Sequence, residues 1–352
     1  GLMPIRGHSG VQGGAEMGAY ATALPGGVPL TPDSAATLSE TYGFTVPAAP
    51  GLTTPAMLDA AKRGEIDVLL AVGGNFREVM PDPSGVDAGF ARVPLRVHID
   101  IVPSSQMLVD PADTVLLLPA TTRYEIPGGV TETTTERRIV FSPEIPGPRV
   151  EAARPEWEIL SELAARVRPG IAGAVRYPGT AAIRDEIARV VPMYAGIETL
   201  SAKGDQVQYG GPHLCAGGVF PTDDGRARFH PVAVPTVERD PDRLTVVTRR
   251  GKQFNSIVHA DTDSLNRLGR DAVMMAGADA RRLGLRDGDP VVVESDHGVL
   301  RGRLAVVDAS PGAVQLHWPE ANVLLSADAR SPAADIPAYK EASARVRRAD
   351  EA

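Results

Sequence analysis

The first half of the chain alternates short apolar runs with helical patterns. Three runs, at 67–72, 95–101 and 115–118, are too short for buried helices and are typical of buried strands. A helix is predicted over 54–63, and a second begins near Phe76, after the three residues that follow the first run. Strands that alternate with helices at this spacing predict a doubly wound, mostly parallel sheet of the α/β class.

Helical periodicity continues beyond the predicted sheet and then fades. Amphipathic helices are predicted over 157–167 and 180–190, whereas residues 192–242 are rich in Gly, Pro and Asp and show weak periodicity. We therefore predict an α/β cofactor-binding domain over 1–168, followed by an irregular connector over 169–242.

Short strands dominate the chain after residue 243. Apolar or alternating runs predict strands at 244–248, 271–275, 290–295, 299–307 and 313–318. A short helix, 278–284, is closed by Gly284. Short strands at this spacing with one helix predict a closed β-barrel domain over 243–348.

Composition excludes several classes of protein. Hydrophobic residues make up 43% of the 352 residues and charged residues 23%, which is ordinary for a globular chain. The net charge of −8 gives no basic footprint for nucleic-acid binding, and no apolar run approaches the ~18 residues of a membrane span. Cys215, the one cysteine, excludes an internal disulfide or a site made of several local cysteines. The sequence starts at Gly1 without a targeting signal, and we expect it to continue a longer chain.

Glycine and polar residues follow the predicted strands of the first half. Gly73, Gly74 and Asn75 come directly after the first strand, and Asp100 and Ser104 follow the second. In open α/β sheets ligands bind beyond the carboxyl ends of the strands, and bare amides at a helix start attract phosphate. The glycines also suit an ordinary tight turn, and they do not form the G-x-G-x-x-G fingerprint of NAD-binding proteins.

A basic loop ends the first predicted barrel strand. Arg249, Arg250 and Lys252 are followed by Asn255 and Ser256. Three cations with amide and hydroxyl neighbours suit a phosphate or phosphoester, and an exposed basic loop is the alternative.

Other chemistry-bearing residues have simpler explanations. A lone loop cysteine such as Cys215 is more often structurally incidental than reactive. His98 alternates with apolar neighbours as a strand residue does, and His8, in the glycine-rich start of the chain, suits either a cofactor contact or a solvated loop. The spacing of a calcium loop is absent from Asp261, Asp263 and Asp271.

Several segments occur in an order that carries a family resemblance. In the second half they are TRRGKQFNS (248–256), ADARRLGLRDGD (278–289), VVVESDHG (291–298), WPEANVL (318–324) and PAYK (337–340). In the first half they are RGHSGVQG (6–13) with Met17 and Gly18, AVGGN (71–75) and the stretch 113–125. Over nearly its whole length the chain resembles the C-terminal half of the molybdopterin oxidoreductases, the superfamily of formate dehydrogenase and dimethyl sulfoxide reductase, and most of all the formate-dehydrogenase-like alpha subunits.

The resemblance implies a bis-molybdopterin guanine dinucleotide cofactor that carries molybdenum or tungsten and exchanges two electrons. It implies that the barrel is of the six-stranded double-psi type. It also implies that the metal's protein ligand, and an iron–sulfur cluster where one exists, belong to a missing N-terminal half, so that this half alone is inactive.

Carried over residue by residue, the resemblance implies cofactor contacts in three places. Gln12 and Gly13 face the pterin. The guanosine end is held by Gly73, Asn75, Asp100 and Ser104. The barrel contributes Thr248, Arg250, Phe254, Ser256, Asn322, Tyr339 and Lys340. None of these residues is implied to be catalytic or to ligate the metal.

Two other functions are compatible with parts of this pattern. A non-catalytic scaffold, such as the large iron–sulfur subunit of respiratory complex I, resembles the same superfamily without carrying molybdenum. A nucleotide-binding α/β dehydrogenase lacks support because the glycine fingerprint is missing. The expected partners are the missing N-terminal half, an electron-transfer partner and a small-molecule substrate whose identity the sequence does not reveal, and the expected location is the cytoplasm.

Overall fold

The structure, a computed structural model, describes residues 10–234, 240–251, 260–332 and 334–349. In chain order the helices are α1 (Gly10–Glu16), α2 (Pro32–Tyr42), α3 (Thr54–Arg63), α4 (Phe76–Val79), α5 (Pro83–Phe90), α6 (Glu156–Val167), α7 (Ala172–Val175), α8 (Thr180–Val190) and α9 (Gly277–Arg282). The strands of the first two-thirds are β1 (Ala23–Leu24), β2 (Val28–Pro29), β3 (Val68–Val72), β4 (Leu95–Asp100), β5 (Thr114–Pro119), β6 (Val130–Thr133), β7 (Arg138–Ser142) and β8 (Gln206–Gln208). The remaining strands are β9 (Leu244–Arg249), β10 (Ala272–Ala276), β11 (Pro290–Glu294), β12 (Val299–Val307), β13 (Ala313–His317) and β14 (Ser343–Arg348). Short 3-10 helices lie at Pro25–Gly27, Ser105–Leu108, Arg123–Glu125, Pro169–Ile171, Pro192–Tyr194, Ile197–Thr199, Ala216–Gly218 and Glu320–Leu324.

The described chain packs as two compact units, each made of two stretches of sequence. The first unit contains residues 10–52 and 119–233, and the second contains 53–118 and 234–349. None of the helices in the described residues is long and apolar enough to cross a membrane. The longest, α6, has 12 residues, against the ~20 that a bilayer requires.

The first unit contains a small antiparallel sheet in the order β6–β7–β8, which no sequence pattern predicts. Ile139 and Phe141 on β7 are buried together with Tyr194 and Tyr209, whose ring centroids lie 5.0 Å apart. The guanidinium of Arg184 on α8 lies 5.2 Å from the centroid of Phe141. Aromatic side chains therefore make up much of the core of this unit.

The α/β sheet predicted from the sequence lies in the second unit, with strand order β3–β4–β5 and β3 parallel to β4. The central strand β4 is buried over 96–99. Helix α3 begins after Thr53, whose hydroxyl accepts the amide of Ala56, and ends at Gly64 in the left-handed conformation. The helices pack through a core formed by Leu58, Met80, Val86 and Phe90.

The six strands of the second half close into a barrel in the order β10–β12–β11–β14–β9–β13. Two pairs are parallel, β9 with β13 and β10 with β12, and the other neighbouring pairs are antiparallel. Exchanging the set β9, β10, β11 with the set β12, β13, β14 reproduces every pairing. This two-fold exchange of interlocked halves is the double-psi arrangement, so both parts of the predicted fold are confirmed.

Aliphatic side chains fill the barrel. Its interior cluster includes Val246, Val273, Val291, Val314 and Leu316, each at most 1% exposed. Each fully buried aliphatic side chain of this size contributes roughly 1.5–3 kcal/mol. A closed barrel also leaves no unpaired sheet edge.

The two compact units do not coincide with the predicted domains, because each unit is made of two separate stretches of sequence. Residues 53–118, predicted to belong to a domain over 1–168, pack in the unit that contains the barrel. The predicted connector, 169–242, contains α7, α8 and β8. Packing in the folded chain does not establish which segments fold on their own, so the bounds 1–168, 169–242 and 243–348 stay a prediction.

Limited proteolysis should cut first within 219–234. This stretch contains no helix or strand, Phe229 is 96% exposed, and both Arg226 and Arg228 are exposed. A protease needs accessible backbone that it can extend, so we expect trypsin to cleave after these arginines before it cleaves elsewhere. Mass spectrometry of early fragments measures this, and the double variant Arg226→Gln/Arg228→Gln is the control. Early cleavage inside 244–340 would contradict the prediction.

Candidate functional site

The turn Gly73–Asn75, which we name the glycine turn, joins β3 to α4. Gly73 and Gly74 have φ angles of 68° and 76°, a left-handed conformation that glycine adopts without strain. The amide of Gly73 donates to the carbonyl of Ile99 at 2.8 Å, which ties the turn to the neighbouring strand. A Cβ atom at Gly73 or Gly74 would meet no atom within 4 Å. The backbone of the turn therefore faces open space and can be approached closely by a ligand.

Gln106, which no sequence pattern predicts, holds the glycine turn from the loop that follows β4. The side chain is 1% exposed. Its Oε1 accepts the amide of Phe76 at 2.9 Å, and its Nε2 donates to the carbonyl of Gly74 at 2.7 Å. Asn75 adds a bond from Nδ2 to Oγ of Ser105 at 3.0 Å. The two turns that follow β3 and β4 are thus brought together, as the sequence predicts for the carboxyl ends of parallel strands.

The remaining predicted residues of this edge, Asp100 and Ser104, bond to their own neighbours. Oδ1 of Asp100 accepts the amide of Ile101 at 2.7 Å, and the amide of Ser104 lies 3.5 Å from Sδ of Met107. Both residues lie at the same edge of the sheet as the glycine turn.

A buried arginine supports this loop from the central strand. Arg96 is fully buried, and its Nη1 donates to the carbonyl of Gln106 at 3.3 Å while Nη2 donates to that of Val109. Its guanidinium lies 5.3 Å from the ring centroid of Phe90. Burial lowers the pKa of Arg96 below its usual value. Its two bonds to the carbonyls of Gln106 and Val109 hold the loop against the central strand.

Two exposed cations lie at one end of the barrel. The guanidinium carbon of Arg250, just beyond β9, lies 5.0 Å from the ring centroid of Trp318. Nζ of Lys340 lies 3.5 Å from the carbonyl oxygen of Thr248, two residues before Arg250. Within the described residues, no carboxylate forms an ion pair with Arg250 or Lys340. Three predicted barrel residues, Thr248, Arg250 and Lys340, are therefore brought together.

Neighbouring arginines are already neutralised by carboxylates. Nη2 of Arg249 lies 2.7 Å from Oδ2 of Asp263, which is fully buried. Oδ1 of Asp263 accepts the amide of Leu265 at 2.9 Å. Arg270 pairs with Glu320, whose side chain is partly exposed. Asp263 is a structural ion-pair partner, a role that its spacing in the sequence does not show.

Two further residues predicted to contact the cofactor, Asn322 and Tyr339, bond to the backbone of the second unit. Nδ2 of Asn322 donates to the carbonyl of Glu78 at 2.7 Å, and Oη of Tyr339 donates to that of Val79 at 2.9 Å. Both contacts lie at the end of α4, which starts from the glycine turn.

Gln12 and Gly13 belong to α1 in the first unit. Nε2 of Gln12 donates to Oε1 of Glu16 at 2.6 Å, and the amide of Gly13 donates to Oγ1 of Thr133 at 3.1 Å. A Cβ atom at Gly13 would lie 3.1 Å from the Thr133 side chain, so glycine permits this close approach. Gly13 also lines a cavity of about 250 Å³ together with Met17, Thr131, Ile139 and Tyr194.

Other candidates fall outside these clusters. Phe254 and Ser256 lie outside the described residues, as do Lys252, Asn255 and His8. Cys215 is a free, half-buried thiol in a loop. In the part of the chain that the structure describes, no group of three or more His, Cys, Asp or Glu side chains is arranged to hold a metal ion.

Two buried histidines should make the stability of the second unit depend on pH. Burial, with smaller contributions from Arg96 and Arg270, lowers the pKa of His98 and of His317 below the ordinary value of 6.5. The unfolded chain therefore binds more protons than the folded chain below about pH 6.5. We expect full stability above that pH and a progressive loss below it, by up to about 1.4 kcal/mol per pH unit for each histidine.

Urea unfolding at about pH 7.5 and about pH 5.5 measures this loss. His98→Leu should flatten the pH dependence, because neither ring nitrogen of His98 has a hydrogen-bond partner among the described residues and leucine does not titrate. The matched control is His297→Gln, which replaces an exposed histidine of the same unit. Equal pH dependence in His98→Leu and the unaltered chain would contradict the prediction.

Comparison with known proteins adds a family and a set of relatives. Residues 243–343 match the family model described as "Molydopterin dinucleotide binding domain". An uncharacterised oxidoreductase of Mycobacterium tuberculosis is 28% identical over 97% of this chain and 45% of its own length. The alpha subunit of an F420-dependent formate dehydrogenase from Methanocaldococcus jannaschii is 27% identical over 99% of this chain and 53% of its own length. The chain thus spans about half the length of these curated relatives.

A solved structure shares the fold. Acetylene hydratase from Pelobacter acetylenicus superimposes with a TM-score of 0.57 at 18% identity, covering 91% of this chain and 51% of that protein. At this identity the likeness concerns the fold alone.

Proposed function

Because the chain belongs to the molybdopterin oxidoreductase superfamily, we propose that it is the C-terminal, cofactor-holding half of an oxidoreductase that uses a bis-molybdopterin guanine dinucleotide. The relatives match nearly all of this chain but only about half of their own lengths, which supports the assignment as one half of a longer enzyme. The proposed partners are therefore the other half of the protein, an electron acceptor and a small substrate. A cytoplasmic location stays a prediction.

The observation that carries this proposal is the pair of cations, Arg250 and Lys340, inside the matched domain. Within the described residues neither has a carboxylate partner, whereas the neighbouring Arg249 and Arg270 are both paired. A dinucleotide pyrophosphate carries negative charge that such donors neutralise. A guanidinium binds phosphate through two parallel bonds, and charge-assisted bonds of this kind contribute roughly 1.5–3 kcal/mol each.

The glycine turn fits the nucleotide end of such a cofactor. Its two glycines expose backbone to open space, which allows a ribose or phosphate to approach without meeting a side chain. Asn75, Asp100 and Ser104 supply amide, carboxylate and hydroxyl groups at the same edge of the sheet. When bound, the cofactor supplies a molybdenum or tungsten centre able to exchange two electrons with the substrate. The residues of this chain bind it, orient it and neutralise its charge.

Formate is the proposed substrate. The support is the 27% identity to the formate dehydrogenase alpha subunit over 99% of this chain. A non-catalytic scaffold is the alternative, and cofactor content separates the two. Purified full-length protein should contain molybdenum or tungsten together with two guanine nucleotides per metal, measured by elemental analysis and by chromatography after acid hydrolysis. Protein free of both, produced in a host that makes the cofactor, would overturn the proposal in favour of the scaffold.

The 352-residue chain on its own should oxidise no formate. It spans about half of its relatives, and its described residues contain no cluster arranged to ligate a metal. The measurement is formate-dependent reduction of an artificial electron acceptor by the isolated chain, with the full-length protein as the positive control. Turnover by the isolated chain above the rate of a heat-denatured sample would show that the missing half is not required.

A further inference from the structure

Asn322 lies in the 3-10 helix Glu320–Leu324, which follows β13, and its side chain is 1% exposed. Its Nδ2 donates to the carbonyl of Glu78 at 2.7 Å and to that of Val79 at 3.0 Å, and it lies 3.5 Å from the carbonyl of Met80. Both hydrogens of the amide are therefore used within the protein. No donor of this side chain is left to reach a ligand.

Tyr339 binds the same segment from a different part of the barrel domain. Its Oη donates to the carbonyl of Val79 at 2.9 Å. Burial raises the pKa of Tyr339 to about 12, so the hydroxyl stays protonated and remains a donor at physiological pH. Asn322 and Tyr339, which we name the barrel clamp, thus converge on the carbonyl of one residue.

The target of the barrel clamp is the carboxyl end of α4, a helix of four residues. So short a helix is not stable by itself, and the last carbonyls of any helix lack partners within it. The barrel clamp satisfies those carbonyls, and at the opposite end Gln106 accepts the amide of Phe76. Side chains from outside α4 therefore hold it at both ends. Its start is fixed directly to the glycine turn, because Asn75 is the residue that precedes it.

We propose that Asn322 and Tyr339 are positioning residues, which set the conformation of the glycine turn through α4 rather than by touching the cofactor. This proposal deepens the proposed function and rests on it only for the identity of the ligand. It assigns both residues a different role from the direct contact that the family resemblance implies. The site then requires the barrel domain for its shape as well as for its phosphate-binding cations.

The test measures the turn and its ligand separately. Full-length protein produced in a host that cannot synthesise molybdopterin is compared with its Tyr339→Phe and Asn322→Asp variants. Hydrogen–deuterium exchange is followed in peptides that cover 73–80, and guanosine diphosphate is titrated as the probe of the turn. Tyr20→Phe, which removes an exposed hydroxyl, is the matched control.

We expect exchange of the Gly73 and Phe76 amides to accelerate about five- to ten-fold in Tyr339→Phe, as for the loss of one buried hydrogen bond, and further in Asn322→Asp. Affinity for guanosine diphosphate should fall by a similar factor, while Tyr20→Phe changes neither measurement.

Unchanged exchange at 73–76 in a folded Tyr339→Phe variant would overturn the positioning role, even if affinity falls, since that pattern means direct contact. Acceleration confined to 79–80 would overturn it as well, because the turn would then be independent of the barrel clamp. If the unaltered protein binds no guanosine diphosphate, the proposed nucleotide site fails, and the exchange data alone still decide the positioning role.

Discussion

Arg249→Ala should lower the free energy of unfolding of the second unit by about 3–5 kcal/mol, because it removes a guanidinium from beside a carboxylate that has no access to water. Asp263 is 0% exposed, and Arg249 approaches it to 2.7 Å. Taking a charge out of water is costly, and the native pair offsets that cost by mutual attraction. With the arginine removed, the buried carboxylate keeps the bond from the amide of Leu265 but loses the guanidinium that lies 2.7 Å from it.

Urea unfolding followed by circular dichroism measures this loss. Arg347→Ala is the matched control on the same barrel, since its partner Glu294 lies 3.8 Å away and both side chains are about half exposed. Such an exposed pair contributes only about 0–1 kcal/mol. The double variant Arg249→Ala/Asp263→Asn should recover most of the lost stability, because no uncompensated charge remains. If Arg249→Ala destabilised the chain no more than Arg347→Ala, the pair would have no special role.

The parts of the fold that the sequence predicts are those whose apolar pattern is local. The run at 67–72, which is apolar from Val68 onwards, and the run Val291–Val293 within 290–295 are both strands in the structure, although Ala71 is the one buried residue of the first run. The last barrel strand, β14, gives no such signal, because three arginines and a serine leave only Ala344 and Val346 as its buried residues. The alternation exists, but it is too weak against its charged background to be identified without the partner strands.

The sheet β6–β7–β8 is missed for a different reason. Val207 on β8 pairs with Ile139 on β7, some 70 residues earlier in the chain, and β8 has only three residues. A strand this short has no measurable period, and its existence depends on a distant partner. The pattern of a single sequence therefore cannot predict β8.

The candidate site shows the same limit. The glycine turn is visible in the sequence, because two glycines directly after a strand indicate a turn whose backbone conformation favours glycine. Gln106 and Asp263 are not, because a polar residue in a loop becomes informative only when its burial is known. Both are at most 1% exposed and fully engaged with backbone or charge. The one signal that could have marked Gln106 is its position in the loop that follows a predicted strand, β4.

Arg250→Ala should weaken retention of the cofactor by about 10- to 150-fold in the full-length protein. The residue directly follows the first barrel strand, stacks on Trp318 and has no carboxylate partner among the described residues. Its guanidinium is thus oriented by the indole ring while its donors remain available for a phosphate. Loss of one charge-assisted contact costs roughly 1.5–3 kcal/mol, and ~1.4 kcal/mol corresponds to one decade of affinity. Arg250→Lys should rescue only part of the loss, because an ammonium group lacks the planar pair of donors.

The measurement is the content of guanine nucleotide and metal after purification, and again after washing in high salt. Arg301→Ala, which removes an exposed arginine from β12, is the control and should retain the cofactor as the unaltered protein does. If Arg250 binds phosphate, cofactor content should be highest in the unaltered protein, lower in Arg250→Lys and lowest in Arg250→Ala. This order is expected because the charge and the planar geometry of the guanidinium contribute separately. If Arg250→Lys and Arg250→Ala lost the same amount of cofactor, the contribution of Arg250 would come from its stacking on Trp318 instead. Full occupancy in Arg250→Ala, resistant to high salt, would mean that the cations at this end of the barrel do not hold the cofactor.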